Sequence, residues 1–65
     1  MDMDKQYRVA LVGARAARRM EHLAGQLTGA PAAEREALQA GIAFERWLLE
    51  SCRDALAAAR PPRHD

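Results

Sequence analysis

Few side chains in this 65-residue chain could carry out chemistry. Cys52 is the single cysteine and has no histidine at helical spacing, which favours a buried, inert thiol over a nucleophile. His22 stands beside Glu21 and His64 lies near the C-terminus, and neither has the serine or carboxylate arrangement of a general base. Paired acids for hydrolysis, phosphate-binding glycine loops and metal-ligand spacings are absent from the sequence. We therefore expect no enzymatic activity, no metal and no cofactor.

Composition points to a small helical protein. Ten basic and nine acidic residues give a net charge of +1, so charge alone indicates no nucleic-acid arm and no acidic tail. The hydrophobic content of 49% includes many alanines, which favour helix but bury little area, and β-branched residues are few. No apolar run is long enough for a membrane span and no secretory signal is present, so we expect a cytoplasmic protein.

Glycine and proline divide the chain into two helices. We predict an all-α fold, an antiparallel two-helix hairpin over residues 1–60 that could dimerise into a four-helix bundle. The predicted parts are helix one at about 4–27, a turn at 28–31, helix two at about 32–60 and a disordered tail at 61–65.

Three residues should fix the ends of these helices. Asp2 or Asp4 can accept hydrogen bonds from the free N–H groups at the start of helix one. Gly29 is expected to close that helix in a left-handed conformation, and Pro31 to occupy the first turn of helix two. The short connection then forces the helices to run antiparallel.

Apolar residues recur at steps of three and four on both helices, which predicts the seam between them. Helix one supplies Val9, Val12, Ala16, Met20, Leu23 and Leu27, and helix two supplies Leu38, Ile42, Leu49, Cys52 and Leu56. Glu45 falls inside the second stripe, where an unpaired carboxylate would be costly. We expect it at the edge of the seam; pairing with an arginine of helix one, or with a partner's cation, is the alternative.

Several large apolar side chains fall outside this seam. Tyr7 and Leu11 lie opposite the stripe of helix one, and Phe44 and Trp47 point away from the stripe of helix two at 100° per residue. A chain of two helices has nothing else to cover them, and aromatic side chains are common interface anchors. These four residues are the predicted partner-binding surface.

A second candidate surface is basic. Arg8, Arg15, Arg18 and Arg19 fall within about 100° of one another on helix one. Nucleic-acid binding would need these cations unopposed, whereas antiparallel pairing brings Arg15 to Arg19 towards the acids of helix two. A solvated and partly paired surface is therefore favoured over a nucleic-acid interface.

The second helix also resembles a known family. Its segments Leu38-Gln39, Ala43-Phe44-Glu45 and Leu48-Leu49 are similar to segments in the small E-component co-chaperones of the bacterial type III secretion needle. The resemblance covers about residues 4–57. It implies a hairpin that binds a tetratricopeptide-like chaperone, the two together keeping a needle subunit monomeric in the cytoplasm. It also implies that Phe44 and Leu48 lie on the contact surface.

Three functions remain open from the sequence. The first is a non-enzymatic interaction module of the co-chaperone kind, and the second is a homodimeric helical bundle with a structural or regulatory role. The third and least favoured is a small nucleic-acid-binding protein that uses the basic face.

Overall fold

The computed structural model describes residues 2–59, and these residues form two helices in an antiparallel hairpin. Helix α1 spans Met3–Gly29 and helix α2 spans Ala32–Ala59. At 1.5 Å per residue they are about 40 and 42 Å long, so each runs the length of the other. The predicted all-α hairpin is confirmed. Residue 60, predicted to end helix two, and the predicted disordered tail 61–65 lie outside the described residues.

The N-cap of helix α1 is one of the two acidic residues that the sequence predicts for it. The Asp2 side chain accepts a hydrogen bond from the Lys5 N–H at 2.8 Å, and the Asp2 carbonyl accepts from Gln6 N–H at 3.0 Å. Asp4 adds a negative charge in the first turn, near the positive end of the helix dipole. Asp2 is therefore the N-cap that the acidic N-terminus predicted.

The turn differs from the prediction. Gly29 is the last residue of α1, and no described glycine has a positive φ, so the expected left-handed glycine is wrong. The chain leaves the helix through Ala30, which is extended at φ −78° and ψ 140° and donates its N–H to the Leu27 carbonyl. A residue that precedes proline is driven out of the helical region by the proline ring, which explains why Ala30 before Pro31 ends the helix.

Pro31 is the last residue of the turn, directly before α2, which begins at Ala32. It precedes α2 instead of occupying its first turn, and its carbonyl accepts from the N–H groups of Glu34 at 2.9 Å and Arg35 at 3.2 Å. The proline thus supplies the first acceptor of α2, and the connection contains only Ala30 and Pro31.

The register of the hairpin follows from contacts along its length. An ideal Cβ placed on Gly13 would lie 3.4 Å from the Cys52 Cβ, and one placed on Gly41 would lie 3.1 Å from the Leu23 Cδ1. Since numbers rise on one helix as they fall on the other, the helices are antiparallel. At both glycines a side chain of the opposite helix packs against the backbone.

The interior of the hairpin is narrow. The buried residues of the described chain are Gly13, Ala16, Glu45 and Cys52. The large aliphatic members of the predicted seam are only half-buried, and Val12 is exposed at its edge. Small side chains therefore bring the helices together, while larger ones flank the line of contact.

Candidate protein-interaction surface

The aromatic side chains of α2 are exposed and in contact with each other. Phe44 is 54% and Trp47 60% exposed, and their ring centroids are 5.9 Å apart with the planes tilted by 37°. Phe44 lies about 100° and Trp47 about 160° around the helix from the buried Glu45. The two rings form an apolar cluster on the outer flank of α2, which we call the aromatic pair.

Tyr7 and Leu11 lie elsewhere. They are 69% and 38% exposed. Tyr7 lies about 180° around α1 from the buried Ala16, which places it on the outer face. The Arg19–Glu45 contact sets Trp47 beside the middle of α1, roughly 15 Å along the axis from Tyr7. Tyr7 and the aromatic pair therefore lie in two separate exposed areas.

Leu48 takes part in a different feature, a cavity of about 190 Å³ between the helices. Leu48 itself is half-buried. The cavity is lined by Val12, Arg15, Ala16, Arg19, Glu45 and Leu48. Sequence reasoning did not assign Val12 and Ala16 to any functional surface. Their spacing with Arg15 and Arg19, at i, i+3, i+4 and i+7, was the signal that could have found this feature.

Glu45 is buried, which corrects the expectation that it lies at the edge of the seam. Its Oε1 lies 3.6 Å from Nη1 of Arg19, and its Oε2 has no hydrogen-bond partner among the described residues. The small side chain of Ala16 on the facing helix lets the two backbones approach, so the seam closes over residue 45. Pairing with an arginine of α1 is thus the alternative that the structure bears out.

The four arginines of the candidate basic face differ in their contacts and in their positions around α1. Arg8, Arg15, Arg18 and Arg19 are all exposed, and Arg19 keeps 75% of its side chain in solvent while it contacts Glu45. That contact is the only ion pair in residues 2–59. Arg15 and Arg19 line the cavity, whereas Arg18 lies about 160° around the helix from the buried Ala16. Three of the arginines therefore remain without an acidic partner in the described part of the chain.

Cys52, His22 and His64 are the remaining candidates for chemistry in the sequence. Cys52 is buried against Gly13, as predicted. His22 meets the Gln26 amide at 3.1 Å, and His64 lies outside the described residues. Residues 2–59 contain no group of side chains that could hold a metal ion.

A larger concavity of about 690 Å³ lies at the turn. Its lining includes Gly25, Ala30, Pro31 and Leu38, and Glu34 is its single charged residue. The polar side chains in its lining are those of Gln26 and Glu34. Neither described helix combines the length and the apolar character that crossing a membrane requires.

Fold and surface together define an all-α helical hairpin with an exposed aromatic pair and an arginine-rimmed cavity. Comparison with protein-family models, curated proteins and solved structures found no match to this chain. The resemblance to the E-component co-chaperones stays a prediction.

Proposed function

We propose that this protein is a non-enzymatic interaction module that presents one flank of its hairpin to another protein. The observation that carries the proposal is the aromatic pair, Phe44 and Trp47, exposed on a helix whose other face already packs against α1. Burial of such a side chain contributes about 1.5 to 3 kcal/mol, and tryptophan is enriched among the residues that dominate binding.

The narrow interior supports the same proposal. No large side chain is fully buried in the described residues, so the hairpin gains little from its own core. Small domains of this kind are commonly stabilised by association with another chain. A partner that covers the aromatic pair would add the apolar burial that the two helices lack.

The narrower form of the proposal is a cytoplasmic co-chaperone of a bacterial type III secretion system. It rests on the resemblance of Leu38-Gln39, Ala43-Phe44-Glu45 and Leu48-Leu49 to the E-component family. In this form the partner is a tetratricopeptide-like chaperone, which holds helices in an apolar groove, and the cargo is the needle subunit. The competing form is a homodimer in which each copy covers the exposed residues of the other.

Sedimentation velocity of the purified chain, with Trp47 fluorescence as a second readout, tests the proposal. Trp47 is the only tryptophan, so its emission reports directly on burial of the aromatic pair. A monomer with solvent-exposed emission that shifts to the blue when a co-expressed protein binds supports the co-chaperone form. A dimer of fixed mass with blue-shifted emission supports self-association. A monomer whose Trp47 stays exposed in the complex with its co-purifying protein contradicts both.

The salt dependence of DNA affinity tests whether the basic face binds nucleic acid. Contacts between arginines and phosphates weaken steeply as the salt concentration rises, because they release condensed counterions. Duplex DNA binding that is undetectable at low salt, or that changes little with salt, removes the basic face as a nucleic-acid surface.

A further inference from the structure

The cavity between the helices has the geometry of a hole for a side chain of a third helix. Val12, Arg15, Ala16 and Arg19 are spaced at i, i+3, i+4 and i+7, which is the four-residue pattern that receives a knob in a coiled coil. Leu48 and Glu45 of α2 complete the wall. The volume of about 190 Å³ is enough for one aliphatic side chain. A helix laid along this groove would therefore find a socket already formed.

The two sides of this groove differ in charge. Arg8 precedes Arg15 by seven residues, which places it within about 20° of Arg15 on α1, so Arg8, Arg15 and Arg19 form a row along one rim. The opposite rim, on α2, carries Leu48 and, one turn before it, Phe44. The groove thus has one cationic rim and one apolar rim.

Glu45 holds one end of this row in place. Its side chain is only 7% exposed, and its one ionic contact within residues 2–59 is with Arg19, at 3.6 Å. The guanidinium of Arg19 has five N–H donors and remains mostly in solvent, so it can bind a second carboxylate while it contacts Glu45. Arg8 and Arg15 have no ion pair within residues 2–59. Two arginines and part of a third are therefore available to an acidic partner.

We propose that this groove binds an amphipathic, acidic helix of another protein, an inference that rests on the proposed interaction function and names the chemistry of its partner. One apolar side chain of that helix enters the cavity against Val12 and Leu48, and flanking carboxylates pair with Arg8, Arg15 and Arg19. Bidentate pairing of carboxylate with guanidinium would fix the register of the bound helix.

A second copy of the chain fits this groove poorly. The acids nearest in level on α2, Glu50 and Asp54, lie about 140° to 180° around that helix from the buried Glu45. They face away from the groove. In a symmetric dimer through the groove, Glu50 and Asp54 of one copy would therefore point away from the arginine row of the other. Charge therefore favours a different protein as occupant.

Two synthetic amphipathic peptides test the inference on the 65-residue chain. Both carry leucine at positions a and d over roughly three heptads, and they differ only in having glutamate or lysine at positions e and g. Binding is followed by anisotropy of a fluorescein on the peptide. We expect the glutamate peptide to bind about tenfold more tightly at low salt, and the difference to shrink as salt screens the charges.

A matched pair of variants locates the binding. Arg15→Glu should remove the preference for the glutamate peptide. Arg18→Glu makes the same change of charge on the outer face of α1 and should preserve the preference. Both residues are exposed, and circular dichroism checks that the two variants keep equal helix content.

Three results would overturn the inference. One is equal affinity for the two peptides, the second is an equal effect of the two variants on that preference, and the third is a preference for the glutamate peptide that does not shrink as the salt concentration rises. None of these results contradicts the proposed function, because the test of that function is the emission of Trp47 in the complex with a co-purified protein. A blue shift there, with no preference for acidic peptides, would keep the interaction module and discard its acidic partner.

Discussion

The seam and the outer flanks of this hairpin use opposite kinds of residue. The buried positions hold Gly13, Ala16 and Cys52, all small, together with the carboxylate of Glu45. The outer flanks hold aromatic side chains that are more than half exposed. In most small domains the large apolar side chains are inside. The comparison shows that the two described helices leave the aromatic side chains of this sequence uncovered.

The seam nevertheless has a clear structural role. Small residues let the backbones approach, and half-buried leucines pack across them, as Leu49 and Leu23 do over Gly13 and Gly41. That arrangement sets the register, and the register in turn positions Arg19 over Glu45. The flanks are thus held in fixed positions by a seam that contributes little apolar burial of its own. Substitutions in the two regions should therefore affect different measurements.

The largest expected effect is the loss of binding free energy when Trp47 is replaced by alanine. Trp47→Ala should weaken association with the partner, or with a second copy, by about 2 to 4 kcal/mol, because an exposed anchor that becomes buried in the complex is lost. The free energy of unfolding of the isolated chain should change by less than about 0.5 kcal/mol. Calorimetric titration and urea unfolding measure the two quantities, and Trp47→Phe is the conservative control. Loss of helix content in Trp47→Ala would place the ring in the core of the hairpin instead.

Leu49 should show the reverse behaviour. Leu49→Ala removes a side chain that packs beside Gly13, and we expect it to lower the free energy of unfolding by about 2 kcal/mol. The value lies at the lower end of the usual range because Leu49 is only half-buried. Urea unfolding followed by circular dichroism measures it. If the free energy of unfolding changed no more than it does for an alanine substitution at an exposed position, the seam would not be what holds the helices together.

Glu45 is the one charged residue among the buried positions that the structure describes. Within residues 2–59, its buried carboxylate has one ionic contact, at 3.6 Å, and one oxygen without a hydrogen bond, so desolvation should outweigh pairing. We expect Glu45→Leu to raise the free energy of unfolding by about 1 to 2 kcal/mol. Glu50→Leu, the same substitution on the outer face of α2, should change it by less than about 0.5 kcal/mol. Destabilisation by Glu45→Leu would show that Arg19 contributes more than the burial of the charge costs.

Local signals in the sequence were enough to predict the hairpin. Asp2 at the start of α1 and the Pro31 break identify both helices, and their spacing forces an antiparallel pair. The step of 100° per residue also placed Phe44 and Trp47 outside the seam, where the structure exposes them. The error at Gly29 was avoidable, since the restriction that Pro31 imposes on Ala30 is itself local.

The cavity and the burial of Glu45 could not be predicted in the same way. Both depend on how close the helices come and on which residues face each other, and neither distance nor register is a property of one helix. Ala16 matters only because it lines the same cavity as Glu45, and Arg19 only because the antiparallel register brings it within reach of that carboxylate. Tertiary relations of this kind are weakly encoded in a single pattern of polar and apolar residues.

The smallest expected effect compares two glycines and tests how tightly the seam is packed. An ideal Cβ on Gly25 would have no neighbour within 4 Å, whereas one on Gly41 would meet Leu23 Cδ1 at 3.1 Å. Gly25→Ala should stabilise the helix by about 0.5 to 1 kcal/mol, which raises the melting temperature of a chain this size by about 4 °C. Gly41→Ala gains the same helix propensity but must displace Leu23, so its melting temperature should rise by less than half as much. Equal shifts in thermal unfolding would mean that the helices can separate at Gly41 without loss, and that the close approach there contributes nothing to the stability of the hairpin.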